Sequence, residues 1–89
     1  MISAQVTIVN KLGLHARAAT RLVNCATAFE SEIHIRRGAR KVNSKSIMGV
    51  LTLAASTGTE LLIEAEGPDE QAALQAVIEL ISERFGEEQ

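Results

Sequence analysis

The sequence predicts an α+β fold whose strands and helices follow the order βαββαβα. Stretches that alternate apolar and polar residues, as strands with one buried face do, are separated by stretches with apolar residues at helical spacing. The 89 residues fit a single domain spanning 1–89. We therefore expect an open-faced sandwich, in which a four-stranded antiparallel sheet carries three helices on one face.

The first strand and the first helix occupy the N-terminal third. Apolar residues stand at every second position from Ile2 to Ile8, which predicts a strand. Turn residues follow at 10–13. Apolar residues then recur at helical spacing from Ala19 to Phe29, which predicts a helix over about 16–28 with His15 at its N-terminal edge.

The middle of the chain predicts a hairpin and a short helix. Residues 32–36 alternate, and 37–40 read as a Gly-containing loop leading to a short strand around Lys41, Val42 and Asn43. Ser46 can cap a helix over 47–53, because its hydroxyl can accept a hydrogen bond from a first-turn backbone N–H. Gly49 makes this helix weak on propensity alone.

The C-terminal third predicts one more strand and the longest helix. Thr57-Gly58 marks a turn, and the alternation at 61–66 predicts a strand whose outward side is mostly acidic. Residues 67–70 read as a helix start with acidic groups near the positive end of the dipole. The apolar stripe of this helix consists of Leu74, Val77, Ile78, Ile81 and Phe85.

Composition narrows the classes of function. The formal net charge of −2 gives no general attraction to nucleic acid or anionic membranes, and Phe is the only aromatic type. Cys25 has no cysteine partner for a disulfide or a zinc site. The N-terminus lacks a basic start followed by an apolar stretch. We expect a cytoplasmic monomer without cofactor, metal, nucleic acid or membrane insertion.

Three further features are interpreted as structural. The basic cluster of Arg36, Arg37, Arg40 and Lys41 is interpreted as a charged hairpin edge rather than an RNA contact. His34 alternates with apolar neighbours, so it should lie on the solvated face of the sheet without metal ligands. The helical position of Cys25 predicts a partly buried, unreactive thiol.

The stretch Gly13-Leu14-His15-Ala16-Arg17 is the most informative part of the sequence. An anion on a histidine ring at a helix start would meet unpaired backbone N–H groups and the positive end of the helix dipole. Arg17 can bind phosphoryl oxygens, and Arg21 adds positive charge one turn later. These residues make phosphate a natural ligand, although spacing alone favours an ordinary residue at a helix edge, because short motifs often match by chance.

Two motifs resemble the HPr family of phosphocarriers. They are NKLGLHARAA at 10–19 and KSIMGVL at 45–51, and together with the order of elements they cover essentially the whole chain. Many members of the sugar-transporting systems have proline after the arginine, whereas this chain has Ala18. This pattern resembles both the nitrogen-related branch and the carriers of bacteria with reduced phosphotransferase systems, so it leaves the pathway open.

The resemblance implies specific roles. The histidine matching His15 takes a phosphoryl group from enzyme I, which phosphoenolpyruvate phosphorylates, and passes it to enzyme IIA-type acceptors, with Arg17 assisting. Ser46 matches a serine that HPr kinase/phosphorylase modifies in many members. The partner-binding surface implied by the family consists of Ala16, Ala18, Arg21, Lys45, Ile47, Met48 and Leu51.

Two other classes of function stay open. One is a regulatory binding protein that acts through Ser46 and the Ile47, Met48 and Leu51 surface while His15 is idle. The other is a ligand-sensing or RNA-binding α+β domain, which predicts a ligand pocket or a basic face. The intact pair of His15 and Arg17 favours the phosphocarrier, since a pure regulator has no need of it.

Overall fold

The structure is a computed structural model that describes residues 1–87. It confirms the predicted order of elements and the open-faced sandwich. A short turn, Arg84–Gly86, follows the last helix. The strands and helices are β1 (Ile2–Thr7), α1 (Ala16–Thr27), β2 (Glu32–Arg37), β3 (Arg40–Asn43), α2 (Ile47–Thr52), β4 (Glu60–Glu66) and α3 (Glu70–Ser82).

The four strands form one antiparallel sheet in the order β1-β4-β2-β3. The alternation in the sequence sets its register, because a shift by one residue would turn every apolar side chain to the other face. Ile63 of β4 pairs with Ala4 of β1 on one side and Ile35 of β2 on the other. Ile63 and Ile35 are fully buried beneath the helices.

The hydrophobic core lies between the sheet and the helices. Its side chains are mainly aliphatic, and the small alanines of α1 (Ala18, Ala19 and Ala26) are fully buried. Small side chains allow close approach of the helix backbone, which gives dense packing in the near absence of aromatic residues. Within residues 1–87, no helix is both long and apolar enough to cross a membrane.

The hairpin between β2 and β3 is tighter than the sequence indicates. Arg37 and Arg40 were expected in a loop over 37–40, but they pair with each other at the ends of the strands. Only Gly38 and Ala39 lie between them. Gly38 has a φ of +61°, and such left-handed backbone permits a two-residue turn that glycine adopts at little cost.

The last helix ends before the end of its apolar stripe. α3 stops at Ser82, and Arg84 and Phe85 have φ angles of 59° and 56°, so Phe85 is not a helical residue. Phe85 is nevertheless fully buried. The periodicity therefore identified a core residue correctly but assigned it the wrong backbone conformation, because burial of the ring outweighs the cost of a left-handed turn.

The start of α3 lies where the sequence predicts it, with the acidic Glu70 in the first turn. Asp69 is the residue before the helix, but its side chain makes no cap hydrogen bond. Its carboxylate instead accepts hydrogen bonds at 2.9 Å from the backbone N–H groups of Glu30 and Ser31, and a further one from the Ser31 hydroxyl. The acidic side chain therefore joins α3 to the α1–β2 connection.

Charged side chains from β2, β3 and β4 lie on the open face of the sheet. Glu64 lies 3.8 Å from the Arg36 guanidinium and 3.4 Å from the Lys41 ammonium, which places part of the basic cluster in ion pairs. His34 is half-buried on this same face, as predicted.

Cys25 is half-buried on α1, and its burial raises the pKa of the thiol. A raised thiol pKa disfavours the reactive thiolate.

Candidate functional site

His15 is the N-cap residue of α1, which confirms its predicted position at the start of the helix. Its backbone is extended (φ −76°, ψ 178°), and its carbonyl accepts the hydrogen bond from the Ala19 N–H at 2.8 Å. The ring Nδ1 accepts a hydrogen bond from the Arg17 backbone N–H at 3.3 Å. The imidazole thus occupies the place where Ser, Thr, Asp or Asn side chains usually cap a helix, next to its unpaired N–H groups.

The loop before His15 is held against the segment that precedes β4. The Leu14 N–H donates to the Ala55 carbonyl at 2.8 Å, and the Leu14 side chain is buried. Gly13 has a φ of +66°, and a Cβ there would lie 2.4 Å from the Ala55 oxygen. Only glycine fits this approach without displacing the loop, so Gly13 helps to determine the position of His15.

A carboxylate from the other end of the chain faces the His15 ring. Glu87 follows the turn after α3, and its Oε2 pairs with Nε2 of His15. Its Oε1 accepts a hydrogen bond from Nδ2 of Asn10 at 2.9 Å. The buried Asn10 amide also donates to the Gly13 carbonyl at 2.8 Å. The site therefore contains Asn10 and Glu87 besides the predicted residues.

Sequence reasoning did not single out Glu87, and it placed Asn10 in a turn and at the start of the first motif without giving it a role in the site. Glu87 lies 72 residues from His15, and no periodicity or motif joins the two positions. The available signal was Phe85 followed by Gly86, since an apolar residue before a glycine can mark a chain that turns back onto the core. For Asn10 the available signal was its place at the start of the motif at 10–19.

The charges around the ring favour an ionised Glu87. The hydrogen bond from Asn10 lowers the pKa of Glu87 most, and the hydrogen bond and charge of His15 and the charge of Arg17 lower that pKa further. The exposed Arg17 and Lys11 line a cleft together with Leu12, His15 and Glu87. The His15 side chain is 28% exposed, so an incoming phosphoryl group can reach it.

The other predicted residues on α1 differ in their exposure. Ala16 is exposed beside the ring. Ala18 is 0% exposed, so its side chain cannot contact a partner, and the expected contact is wrong for this residue. The exposed Arg21 donates a hydrogen bond from Nη1 to the Phe85 carbonyl, which joins α1 to the C-terminal turn.

The start of α2 matches its predicted role as a capped helix end. The exposed Ser46 accepts a hydrogen bond at its Oγ from the Gly49 N–H at 3.1 Å. Lys45 is half-buried, and its ammonium donates to the Phe29 carbonyl at 2.8 Å. Lys45 is therefore held by the α1–β2 connection, whereas the Ser46 side chain remains accessible to solvent.

The apolar residues of α2 divide between the surface and the core. Ile47 is 41% exposed and Met48 is 72% exposed. Leu51 is half-buried and packs against the core, so it offers only part of its surface. Val50 and Leu53 are buried, as the helical spacing predicted.

Comparisons with known proteins identify the family of the chain. The family described as "PTS HPr component phosphorylation site" matches residues 2–83. Phosphocarrier protein HPr of Cupriavidus necator is 49% identical over 87 residues, which are 98% of each chain. Phosphocarrier protein NPr of Shewanella violacea is 43% identical over 86 residues, 97% of this chain and 94% of its own. The crystal structure of HPr-C-His from Thermoanaerobacter tengcongensis has a TM-score of 0.96 at 44% identity, covering 100% of both chains. The chain belongs to the HPr family of phosphocarrier proteins.

Proposed function

We propose that this protein accepts a phosphoryl group on His15 from phosphorylated enzyme I and passes it to enzyme IIA-type acceptors. The observation that carries the proposal is the partly exposed His15 ring at the start of α1, with Nδ1 on the Arg17 backbone N–H. A phosphoryl group on that nitrogen would lie beside N–H donors that the helix itself leaves unpaired.

The transfer needs little chemistry from this chain beyond position and charge. The lone pair on Nδ1 attacks the phosphorus atom, the bond from phosphorus to its donor atom on enzyme I breaks, and that electron pair stays on enzyme I. Loose phosphoryl transition states are stabilised mainly by alignment and by positive charge near the oxygens. The N-terminus of α1 and the exposed Arg17 guanidinium supply such charge.

The direct test is phosphorylation of the purified protein by enzyme I and phosphoenolpyruvate. We expect the mass to increase by one phosphoryl group through an acid-labile, alkali-stable bond, and we expect His15→Ala to abolish this gain. His34→Ala is the matched control, because His34 lies on the open face of the sheet and should leave the gain intact. A phosphorylated His15→Ala variant would falsify the assignment of the site.

Regulation through Ser46 is a second proposal. The Ser46 hydroxyl is exposed, so a kinase could reach it, and phosphorylation would add up to two negative charges beside the exposed Ile47 and Met48. If enzyme I docks there with an acidic surface, as the family resemblance implies, those charges would repel it. Ser46→Asp should then lower the rate of transfer from enzyme I, with Ser46→Asn as the uncharged control. Equal rates for the two variants would contradict this regulation.

The exposed part of α2 supports a docking role. Flexible methionine side chains adapt to different partner surfaces, and Met48 is the more exposed of the two apolar residues, Ile47 and Met48. We propose that Ile47 and Met48 form a contact with partner proteins. Met48→Asp should raise the KM for this protein in the enzyme I reaction more than it lowers kcat. A kcat effect at constant KM would exclude Met48 from docking.

A further inference from the structure

We propose that Glu87 is a positioning residue that keeps the His15 proton on Nε2 and so leaves Nδ1 as the phosphoryl acceptor. The inference rests on the proposed function, because it assigns a task to a group beside the proposed phosphorylation site. It concerns a residue outside both motifs that indicated the site.

The hydrogen bonds on the two ring nitrogens agree on one tautomer. A carboxylate can only accept a hydrogen bond, so the contact between Glu87 Oε2 and Nε2 requires a proton on Nε2. A backbone N–H can only donate, so the contact from Arg17 requires a lone pair on Nδ1. Both partners therefore select the neutral ring whose free lone pair is on Nδ1.

The carboxylate is itself held in place. Its second oxygen accepts the hydrogen bond from the buried Asn10, whose amide also binds the Gly13 carbonyl in the loop before His15. The Glu87 side chain is only 14% exposed, which limits its screening by water. The fully buried Phe85 anchors the turn that precedes it. A chain of contacts thus runs from Asn10 through Glu87 to the ring, as supporting carboxylates orient functional histidines elsewhere.

The same contact suits the phosphorylated state. When Nδ1 bonds to phosphorus while Nε2 keeps its proton, the ring acquires a formal positive charge, and the Glu87 carboxylate lies against that proton. When the phosphoryl group leaves, the electron pair of the nitrogen–phosphorus bond returns to Nδ1 and restores the same neutral tautomer. No proton has to move in either direction. Arg17 and Lys11, the cations lining the cleft, remain available to the phosphoryl oxygens.

The test compares the natural protein with Glu87→Gln, Glu87→Asp and Glu83→Gln. Glu83→Gln is the matched control, since it removes the same charge from an exposed residue four positions earlier. The ring tautomer is measured from the ¹⁵N shifts of His15 at about pH 8.5, where an ordinary imidazole is neutral. The rate of transfer from enzyme I is measured on the same samples, and backbone amide spectra verify that each variant is folded.

We expect Nε2–H to predominate in the natural protein and in Glu83→Gln. Glu87→Gln should lower the ratio of Nε2–H to Nδ1–H about tenfold, which corresponds to about 1.4 kcal/mol. The ratio should fall because the charged acceptor is lost and the Gln amide can donate to Nε2 instead. The transfer rate should fall in parallel, with partial recovery in Glu87→Asp. An unchanged tautomer ratio in Glu87→Gln would overturn the inference, whether or not the rate falls. Failure of the natural protein to accept a phosphoryl group would instead refute the proposed function, because the tautomer measurement does not depend on transfer.

Discussion

At the scale of single residues, two of the charged side chains near His15, those of Glu87 and Arg17, differ in how they are held. Glu87 is fixed by Asn10 and contacts the ring, whereas the Arg17 guanidinium is exposed at the edge of the cleft. An exposed cation can move to meet a phosphoryl group as a partner delivers it. We therefore propose that the Arg17 guanidinium acts in the transition state, whereas the Arg17 backbone N–H contributes to the resting geometry of the ring.

Arg17→Ala should slow transfer from enzyme I by roughly tenfold to a hundredfold, because one donor to the developing charge is lost. The free energy of unfolding should change by no more than about 0.5 kcal/mol, since the side chain is exposed. Stopped-flow transfer and urea unfolding measure the two quantities. Arg17→Lys keeps the charge without the planar guanidinium, so its transfer rate should lie between those of Arg17→Ala and the natural protein. Equal rates for Arg17→Ala and the natural protein would remove Arg17 from the mechanism.

At the scale of elements, the three helices begin in different ways. His15 and Ser46 accept hydrogen bonds from the first turns of α1 and α2, whereas Asp69 leaves α3 uncapped and binds the α1–β2 connection. α2 has only six residues, too few to be stable alone, so it depends on its cap and on the packing of Val50.

Ser46→Ala should lower the free energy of unfolding by about 1 kcal/mol, because the Gly49 N–H loses its acceptor. Urea unfolding at neutral pH measures this change. Ser3→Ala, at an exposed position of β1, is the control and should stay within about 0.5 kcal/mol of the natural protein. No difference between the two variants would show that the cap does not stabilise the fold.

Phe85→Ala should lower the free energy of unfolding by about 3–5 kcal/mol, because it removes a fully buried ring from the core. It should also slow phosphoryl transfer, since the same turn carries Glu87 to the His15 ring. Urea unfolding and the enzyme I assay measure the two effects under conditions where the variant is still folded. A loss below about 1 kcal/mol would contradict the role of Phe85 as the anchor of the turn.

At the scale of the whole molecule, two carboxylates connect distant parts of the chain. Asp69 joins α3 to the segment after α1, and Glu87 joins the residues after α3 to the loop before α1. The hydrogen bond from the Ser31 hydroxyl, followed by that from the Glu30 backbone, lowers the pKa of Asp69. Glu87 also has a lowered pKa, chiefly through Asn10. Both groups therefore stabilise the folded state in their ionised form.

Because both pKa values are lowered in the folded state, the free energy of unfolding should fall as the pH falls. A carboxyl group with a lowered pKa in the folded state contributes fully above its unfolded value, about 3.9 for Asp and 4.3 for Glu. This contribution to stability is lost as the pH falls from the unfolded pKa through the lower pKa of the folded state.

Asp69→Asn should therefore lower the free energy of unfolding at neutral pH and make its decline in acid shallower. Urea unfolding between about pH 7 and pH 2 tests this, with the exposed Glu66→Gln as control. Parallel pH profiles for Asp69→Asn and the natural protein would contradict it.

The sequence by itself determined the class of fold, the order of elements and the position of His15 at the start of a helix. These features depend on neighbouring residues: alternation at 2–8 and 61–66, helical spacing after Ala16, and the cap at Ser46. Local patterns of this kind reflect which face of a strand or helix is buried, and the apolar residues of these patterns do form the core.

Only the tertiary structure decided the partners of the site. Glu87 reaches His15 because α3 ends at Ser82 and Phe85 inserts into the core through a left-handed turn, which helical periodicity cannot indicate. Ala18, placed by motif among the contact residues, is buried by the packing of α1. Contacts between residues far apart in the chain depend on how the elements pack, and short-range patterns in a single sequence carry no record of that packing.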